Sequence, residues 1–390
     1  MISVTTALDR ILALVAPLDT EEIPLAEAPG RVLARDVVAR RAQPPFDASA
    51  MDGYAVRAAD AVAGATLRVV GEAAAGRRHP GALGPGEAVR IFTGAPVPDG
   101  ADTVVIQEDT DHGRGSVSIT VAPRPGAHIR AAGGDFGVGD RIGAPCRLSP
   151  AAIALAAAMD APTLTVRRRP VVALLATGDE LVMPGDGAGP DQIIASNGFG
   201  LKALLEETGA EARLLPVARD NPDSLRTAFG LAGGADLLVT IGGASVGDHD
   251  LVGPVARELG MDVAFHKVAM RPGKPLMAGT LGGTPMIGLP GNPVSAMVCG
   301  HVFICPAVRA MLGYPPGAAP RRRMALGCDL PANGPREHYM RATVAEGRVN
   351  PVPTQDSAML SLLAAADALI VRAADDPARR AGDIVDILPL

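Results

Sequence analysis

The sequence contains no tryptophan, and aromatic residues make up only 3% of its 390 positions. Recognition of nucleic acid by stacking bases on aromatic side chains is therefore not expected. The formal net charge of −6 points the same way, because general nucleic-acid binders neutralise phosphates with an excess of lysine and arginine. We expect no nucleic-acid partner.

Long hydrophobic runs are also missing. A helix that spans a bilayer needs about 20 apolar residues, and no apolar run in the sequence is that long. The N-terminus also lacks the basic start and apolar core of a signal peptide. The four cysteines show no CxxC spacing and no histidine pattern nearby, which argues against a zinc site. The expectation is a cytoplasmic protein with reduced thiols and no membrane partner.

Hydrophobic residues make up 48% of the sequence, which is enough for a folded protein. A chain of 390 residues is too long for one hydrophobic core, so roughly two to four domains are expected. Short apolar stretches broken by glycine and proline predict mixed α+β N-terminal domains, one of them a small antiparallel β domain. From position 169, alternating strand and helix patterns predict a central doubly wound parallel α/β domain, and the last segment reads as a β-barrel. The predicted domains are 1–42 with 129–168, 43–128, 169–316 and 317–390.

The most informative stretch is 235–250, where an apolar run ends in Gly242, Gly243 and Ser245, and then in Asp248 and Asp250. A buried strand that gives way to a glycine-rich turn and a helix offers N–H groups to an anionic ligand. The aspartates would repel phosphate, so they indicate a divalent cation between carboxylate and ligand, a pairing that Mg²⁺ prefers. The same pattern is also typical of a tight β–α turn in which an aspartate caps the helix.

Other predicted strands end in polar or Gly/Pro-rich sequence, namely at Glu180, in the turn 271–275 and in the segment 289–293. Ligands of parallel sheets bind beyond the carboxyl ends of the strands, so these ends are expected to meet. Arg271 and Lys274 would supply positive charge for an oxyanion. This set favours Mg²⁺-assisted chemistry on a phosphorylated, nucleotide-like ligand.

A second group of polar residues lies in the first half of the chain. Two prolines and an Asp-Gly pair make 43–56 an ordered loop that carries Asp52 and a tyrosine of exposed type, Tyr54. Thr93 follows a predicted strand in a rigid Gly/Pro turn. By themselves these residues favour a surface turn with solvated carboxylates.

Six motifs, in this order along the chain, resemble the molybdopterin molybdenumtransferase family, the molybdenum insertases that include the C-terminal part of gephyrin. They lie at 45–55, 93–95, 177–180, 242–247, 272–275 and 289–295. The resemblance implies an elongated homodimer of four-domain subunits, in which 1–42 with 129–168 forms the linker and dimerisation domain and 169–316 binds molybdopterin. It also implies transfer of molybdenum from molybdate to adenylylated molybdopterin, with Mg²⁺ as cofactor and release of AMP. Transient contacts with other enzymes of cofactor synthesis are a further expectation.

Residue by residue, the resemblance makes Asp52, Thr93, Glu180 and Asp250 catalytic, with Glu180 and Asp250 as metal ligands. Asp52 and Thr93 would act in trans, in a site shared between subunits. Arg271 stands where lysine is common in the family and keeps the charge as a planar fork. The implied substrate and molybdate pocket comprises Gly242, Gly243, Ser245, Arg271, Lys274, Pro275, Pro290, Pro293, Ser295, Arg341 and Ser357.

Two rival functions compete with this hypothesis. The first is an adenylyltransferase that makes the adenylylated pterin, because related domains share the Gly-Gly turn and the doubly wound sheet. That activity would need only the central domain. The second is a non-catalytic scaffold, which would call for a further domain and a long linker.

Overall fold

The structure is a computed structural model that describes residues 1–243 and 251–390. These residues form two compact units, one made of Glu22–Thr165 and one made of Met1–Glu21 with Val166–Leu390. The predicted site residues Ser245, Asp248 and Asp250 lie outside the described residues. The boundaries of the four predicted domains stay predictions.

Helix α1 (Val4–Leu12) opens the chain, and the side chain of Ser3 caps it by accepting a hydrogen bond from the Thr6 N–H at 3.0 Å. Its apolar stripe is buried, with Ile11 fully inaccessible. The apolar pattern that begins after Ser3 continues to Leu18, but the observed helix is shorter than this pattern. The observed helix ends at Leu12, and helix does not resume because Pro17 disfavours helical geometry in the residue that precedes it.

The unit Glu22–Thr165 is made mostly of short strands, with one helix, α2 (Pro150–Ala158). The strands in and bounding this part of the chain are β1 (Thr20–Pro24), β2 (Val32–Leu33), β3 (Val37–Val38), β4 (Ala48–Ser49), β5 (Gly53–Val56), β6 (Thr66–Ala73), β7 (Glu87–Ile91), β8 (Thr103–Ile106), β9 (Ser116–Ser118), β10 (Ile129–Arg130), β11 (Arg141–Ile142), β12 (Cys146–Arg147) and β13 (Thr163–Arg167). Five of them form a sheet in the order β8-β5-β7-β6-β9. The predicted antiparallel domain therefore contains one parallel pair, β6 with β7.

Tyr54 corrects one prediction, since it is only 3% exposed. It lies in β5, between β7 and β8, and packs in the core of this sheet with Val105 and Val117. Its hydroxyl donates a hydrogen bond to the Gly113 carbonyl at 2.9 Å. A tyrosine can be buried in this way when its polar end reaches a backbone acceptor.

The larger unit contains a six-stranded sheet in the order β17-β14-β18-β22-β21-β19. Its elements up to the linker are β14 (Val171–Ala176), β15 (Leu181–Val182), β16 (Ile193–Ile194), α3 (Asn197–Thr208), β17 (Glu211–Leu214), α4 (Pro222–Leu231), β18 (Leu237–Ile241), α5 (Val252–Glu258), β19 (Asp262–His266), β20 (Met270–Arg271), β21 (Met277–Leu281), β22 (Thr284–Leu289), α6 (Pro293–Cys299) and α7 (Cys305–Met311). Strands β17, β14, β18 and β22 are parallel, as predicted, and all five residues of β18 are buried. Strand β21 was not predicted and runs antiparallel to β22 and β19.

After Asn292 the chain forms one continuous helical run, made of α6, a π-helical turn at Gly300–Ile304 and α7. By length and composition the run Pro293–Met311 would suffice to cross a membrane, but 83% of its most apolar window is buried inside the structure. Such burial is typical of a core helix, and here the run packs against α3.

The C-terminal segment forms the predicted β-barrel. Its elements are β23 (Arg322–Leu326), β24 (Glu337–Ala345), β25 (Arg348–Pro351), α8 (Leu360–Ala364), β26 (Ala368–Arg372) and β27 (Ile384–Pro389). The order β24-β25-β23-β27-β26 closes because β26 pairs with β24. Strand β20 extends this sheet by pairing with β24, with Arg271 opposite His338. The turn that follows Arg271 therefore begins at the barrel.

Candidate functional site

A cavity of about 760 Å³ lies at the carboxyl ends of β14, β18 and β22. It is lined by six residues that the sequence analysis assigned to the site, namely Glu180, Gly242, Gly243, Pro275, Pro290 and Pro293. They come from four separate stretches of the chain. The parallel strands bring three of these stretches together because they end at this edge, and Pro275 joins them because the antiparallel strand β21 begins there.

Glu180 lies in the turn that follows β14. A Cβ on Gly178 would stand 2.5 Å from Glu180 Oε2, so a side chain at this position would displace the carboxylate from its place over the turn. The Ile193 N–H donates to the Glu180 carbonyl at 2.8 Å and fixes the backbone on the other side. The carboxylate itself stays exposed and available to a ligand.

Sequence reasoning missed Asp220, which lines the same cavity. It follows β17 and directly precedes Asn221, whose side chain caps α4. The signal that could have found it is its place at the end of a parallel strand, the same argument that led to Glu180. The site thus holds two carboxylates among the described residues.

The segment 290–293 is held from two sides. Asn197 Nδ2 donates to the Gly291 carbonyl at 2.7 Å, from the first turn of α3. Asn292 Nδ2 donates to Ser357 Oγ at 3.2 Å, and the Val294 N–H donates to the Ser357 carbonyl at 3.1 Å. These bonds hold Ser357 beside Asn292, which lines the cavity, and the role of Ser357 in substrate binding stays a prediction.

Arg341 is placed differently from the other predicted residues. It is 1% exposed, and its guanidinium donates to the carbonyls of Met359 and Asp356 at 2.8 Å and of Thr354 at 3.1 Å. In this structure it therefore supports the loop that presents Ser357. Its direct contact with an oxyanion stays a prediction.

Three further predicted residues, Arg271, Lys274 and Ser295, are neighbours in sequence of the cavity's lining segments. Arg271 and Lys274 are exposed on the turn between β20 and β21, next to the lining residue Pro275. Neither cation is itself part of the cavity lining. Ser295 lies in α6 and is only 4% exposed.

Asp52 and Thr93 lie in the unit Glu22–Thr165, and the structure brings them into contact. Asp52 Oδ1 accepts hydrogen bonds from the Thr93 backbone N–H and from Thr93 Oγ1, both at 2.8 Å. These donors, the backbone N–H first, hold the pKa of the Asp52 carboxyl below its usual range. The adjacent Gly53 allows β5 to approach β8, since a Cβ there would stand 1.9 Å from the Val105 carbonyl oxygen.

Within the described residues, no three histidine, cysteine or acidic side chains converge on a ready-made cation site. Glu180 and Asp220 nevertheless supply carboxylate oxygens to one cavity. Mg²⁺ is commonly held by one or two carboxylates together with waters and substrate phosphates. The donor set therefore fits Mg²⁺.

Comparison with known proteins gives consistent matches along the chain. The family models that match are the MoeA N-terminal region (domain I and II) at 2–159, a probable molybdopterin binding domain at 173–310 and the MoeA C-terminal region (domain IV) at 323–390. A molybdopterin molybdenumtransferase of Nostoc sp. is 40% identical over 83% of this chain and 76% of its own length. The protein of the same name from Bacillus subtilis is 33% identical over 99% of this chain and 94% of its own length.

Solved structures agree with these sequence matches. The crystal structure of a molybdopterin biosynthesis MoeA protein from Pyrococcus horikosii superposes with a TM-score of 0.83 at 30% identity, covering 100% of this chain and 99% of that one. An α/β domain of this kind, flanked by both MoeA regions, defines a multidomain transferase of molybdenum cofactor biosynthesis. The chain belongs to the molybdopterin molybdenumtransferase family. This confirms the resemblance and the predicted fold class.

Proposed function

We propose that this protein inserts molybdenum from molybdate into adenylylated molybdopterin, in a Mg²⁺-dependent reaction that releases AMP. The observation that carries the proposal is the single cavity shared by Glu180, Asp220 and the Gly242 and Gly243 turn, in a chain of this family. We place the reaction in the cytoplasm, with transient contacts to other enzymes of cofactor synthesis.

The residues of the larger unit suit the two ligands. Molybdate is a tetrahedral dianion, and Arg271 and Lys274 offer charged donors on the turn that leads into the cavity wall. Glu180 and Asp220 would hold Mg²⁺, together with the predicted ligand Asp250. When bound, the ion would neutralise charge on the phosphoanhydride between the pterin phosphate and AMP.

The proposed reaction breaks one phosphorus–oxygen bond of that anhydride. An oxygen of molybdate or water forms the new bond to phosphorus, and the anhydride oxygen departs with the other phosphate, so that AMP is released. The two dithiolene sulfurs of the pterin bind the molybdenum in place of one molybdate oxygen, which leaves as water with the two thiol protons. In a homodimer with shared sites, Asp52 and Thr93 would act on the substrate held by the partner.

The test is incubation with adenylylated molybdopterin, molybdate and Mg²⁺, with AMP followed by chromatography. We expect AMP release to depend on both molybdate and Mg²⁺, and Glu180→Gln to slow it by roughly 100-fold. Glu211→Gln is the matched control, because Glu211 is exposed at the amino end of β17, at the opposite edge of the sheet. Equal AMP release by wild type and Glu180→Gln would contradict the proposal.

The same assay separates the rival functions. An adenylyltransferase would consume ATP with free molybdopterin, and the matches to both flanking MoeA regions speak against an activity that needs only the central domain. A scaffold would keep its binding partners when Glu180 is replaced, whereas cofactor synthesis would stop.

A further inference from the structure

The two acidic residues of the cavity lie on neighbouring loops. Glu180 follows β14 and Asp220 follows β17, and these strands are adjacent and parallel. The loops are joined by a backbone hydrogen bond from the Gly178 N–H to the Ala218 carbonyl at 3.1 Å. A side-chain bond adds to it, since Asp179 Oδ1 accepts from the Asp220 N–H at 3.1 Å. Asp179, which precedes Glu180 in the sequence, thus holds the backbone of Asp220.

A second side chain connects the loops in the opposite direction. Arg219 Nη1 donates to the carbonyl of Asp179 at 2.8 Å and to that of Leu181 at 3.4 Å. These two carbonyls flank Glu180. Arg219 is itself anchored, because its own N–H donates to Ser224 Oγ at 2.9 Å, in the first turn of α4. The Glu180 turn is therefore held against the start of a helix.

The charges of these loops explain why such bonds are needed. Asp179, Glu180 and Asp220 place three carboxylates on two short loops, and the Arg219 guanidinium is the one cationic side chain within 177–181 and 218–221. Like charges favour separation of the loops, and the guanidinium offsets this repulsion. Both cavity carboxylates are then presented together, which is the arrangement that a divalent cation requires.

We propose that Asp179 and Arg219 are positioning residues that hold the loops of Glu180 and Asp220 together and thereby set the affinity of the site for a divalent cation. This inference rests on the proposed function, because it takes Glu180 and Asp220 as cation ligands. Neither Asp179 nor Arg219 belongs to the cavity lining. They act through the backbone that carries the ligands, and residues behind metal ligands typically change metal affinity by about 10- to 100-fold.

The experiment is titration of the full-length protein with Mn²⁺, observed by electron paramagnetic resonance of the free ion. Asp179→Ala and Arg219→Ala are expected to weaken Mn²⁺ binding by at least about tenfold. Asp179→Asn keeps an oxygen acceptor for the Asp220 N–H and is expected to retain most of the affinity. Arg169→Ala is the matched control, since Arg169 is exposed near the amino end of β14.

Hydrogen exchange supplies a readout that needs no metal. Arg219→Ala is expected to speed exchange in the peptide that contains 178–182, and Asp179→Ala to speed exchange of the Asp220 amide. Unchanged exchange in both variants would overturn the inference, and so would unchanged Mn²⁺ affinity in both while Glu180→Gln weakens it. If Glu180→Gln leaves Mn²⁺ affinity intact, the cation site of the proposed function is itself wrong, which is a distinguishable failure.

Discussion

Asp52 and Thr93 stand 41 positions apart in the sequence, and the structure joins them through two hydrogen bonds to one carboxylate oxygen. Both donors favour the ionised form, which is why the Asp52 pKa is lowered. An aspartate in this state accepts hydrogen bonds and holds charge at neutral pH. At the proposed site it would orient a donor group of the substrate.

Replacement of Thr93 by valine should raise the Asp52 pKa part of the way to its ordinary value, because the hydroxyl donor is lost and the backbone N–H remains. The measurement is a carbon-detected NMR titration of aspartate carboxyls. A carboxyl whose pKa is lower in the folded than in the unfolded protein contributes to the stability of the fold above about pH 4. This contribution is lost as the pH falls through the folded pKa. The loss of unfolding free energy on acidification should therefore be smaller in Thr93→Val than in the wild type.

Thr120→Val is the control for this titration, since Thr120 is exposed and its N–H donates to the Asp109 carbonyl and not to Asp52. It should leave the Asp52 titration where it is in the wild type. An unchanged Asp52 pKa in Thr93→Val would show that the hydroxyl bond does not form in solution.

The loop 352–359 is the element on which the roles of Arg341 and Ser357 depend. The Arg341 guanidinium meets three of its carbonyls, and Gln355 binds the backbone of Arg341 through both side-chain atoms, at 2.9 and 3.0 Å. The same loop contacts Asn292 through Ser357. A strand of the barrel thus fixes the rim of a cavity that belongs to the parallel sheet.

Arg341→Lys is expected to destabilise the protein by about 1–3 kcal/mol, because an ammonium lacks the planar fork whose two nitrogens reach three carbonyls at separate positions. It should also raise the KM for molybdate, since Ser357 shifts with the loop. Urea unfolding and molybdate-dependent AMP release measure the two effects. Arg348→Lys, at an exposed position of β25, is the control.

The two measurements distinguish support of the loop from direct substrate contact. A raised KM with unchanged unfolding would show that Arg341 leaves the loop to bind the oxyanion, as the family resemblance implied. A loss of stability together with the change in KM would assign Arg341 to loop support.

For the whole molecule, His338 links stability to pH. It is 8% exposed, its Nε2 has no hydrogen-bond partner, and burial, together with nearby arginines led by Arg271, lowers its pKa to about 4. It is therefore neutral in the folded protein at pH 7. Its contribution to stability is fully present above about pH 6.5 and is lost progressively as the pH falls from there to about 4.

Between pH 7 and pH 5 this histidine alone should cost on the order of 2 kcal/mol of unfolding free energy. The variant His338→Phe has no titratable side chain at this position, so its unfolding free energy should fall by correspondingly less between pH 7 and pH 5. Denaturant unfolding at several pH values measures the difference. His112→Asn replaces an exposed histidine and should keep the wild-type pH dependence, and equal slopes in all three proteins would refute the assignment.

The proposed sharing of sites between subunits is tested by mixing inactive variants. If Asp52 acts in trans, a heterodimer of Asp52→Ala and Glu180→Ala subunits has one site with both residues intact. Random mixing should then restore about a quarter of the wild-type AMP release, because half of the dimers are mixed and each holds one good site of two. Mixing that restores no activity would show that both residues act within one subunit, or that no dimer forms.

Much of the larger unit could be predicted from the sequence because its signals are local. The apolar run of β18, the asparagine cap of α4 and the parallel order of four strands follow from short patterns. The convergence of Glu180, Gly242 and Pro290 then follows from the rule that parallel strands end at one edge. Strand β21 was missed because its hairpin with β22 breaks the strand–helix alternation on which the prediction was based.

The sequence by itself determined the family, the doubly wound sheet and the barrel, since periodicity and short motifs depend on neighbouring residues. Only the tertiary structure decided that Tyr54 is buried, that Asp220 shares the cavity with Glu180 and that Arg341 faces the backbone of its own loop. The reason is that burial and hydrogen-bond partners are set by segments far apart along the chain. No local pattern records which of them will meet.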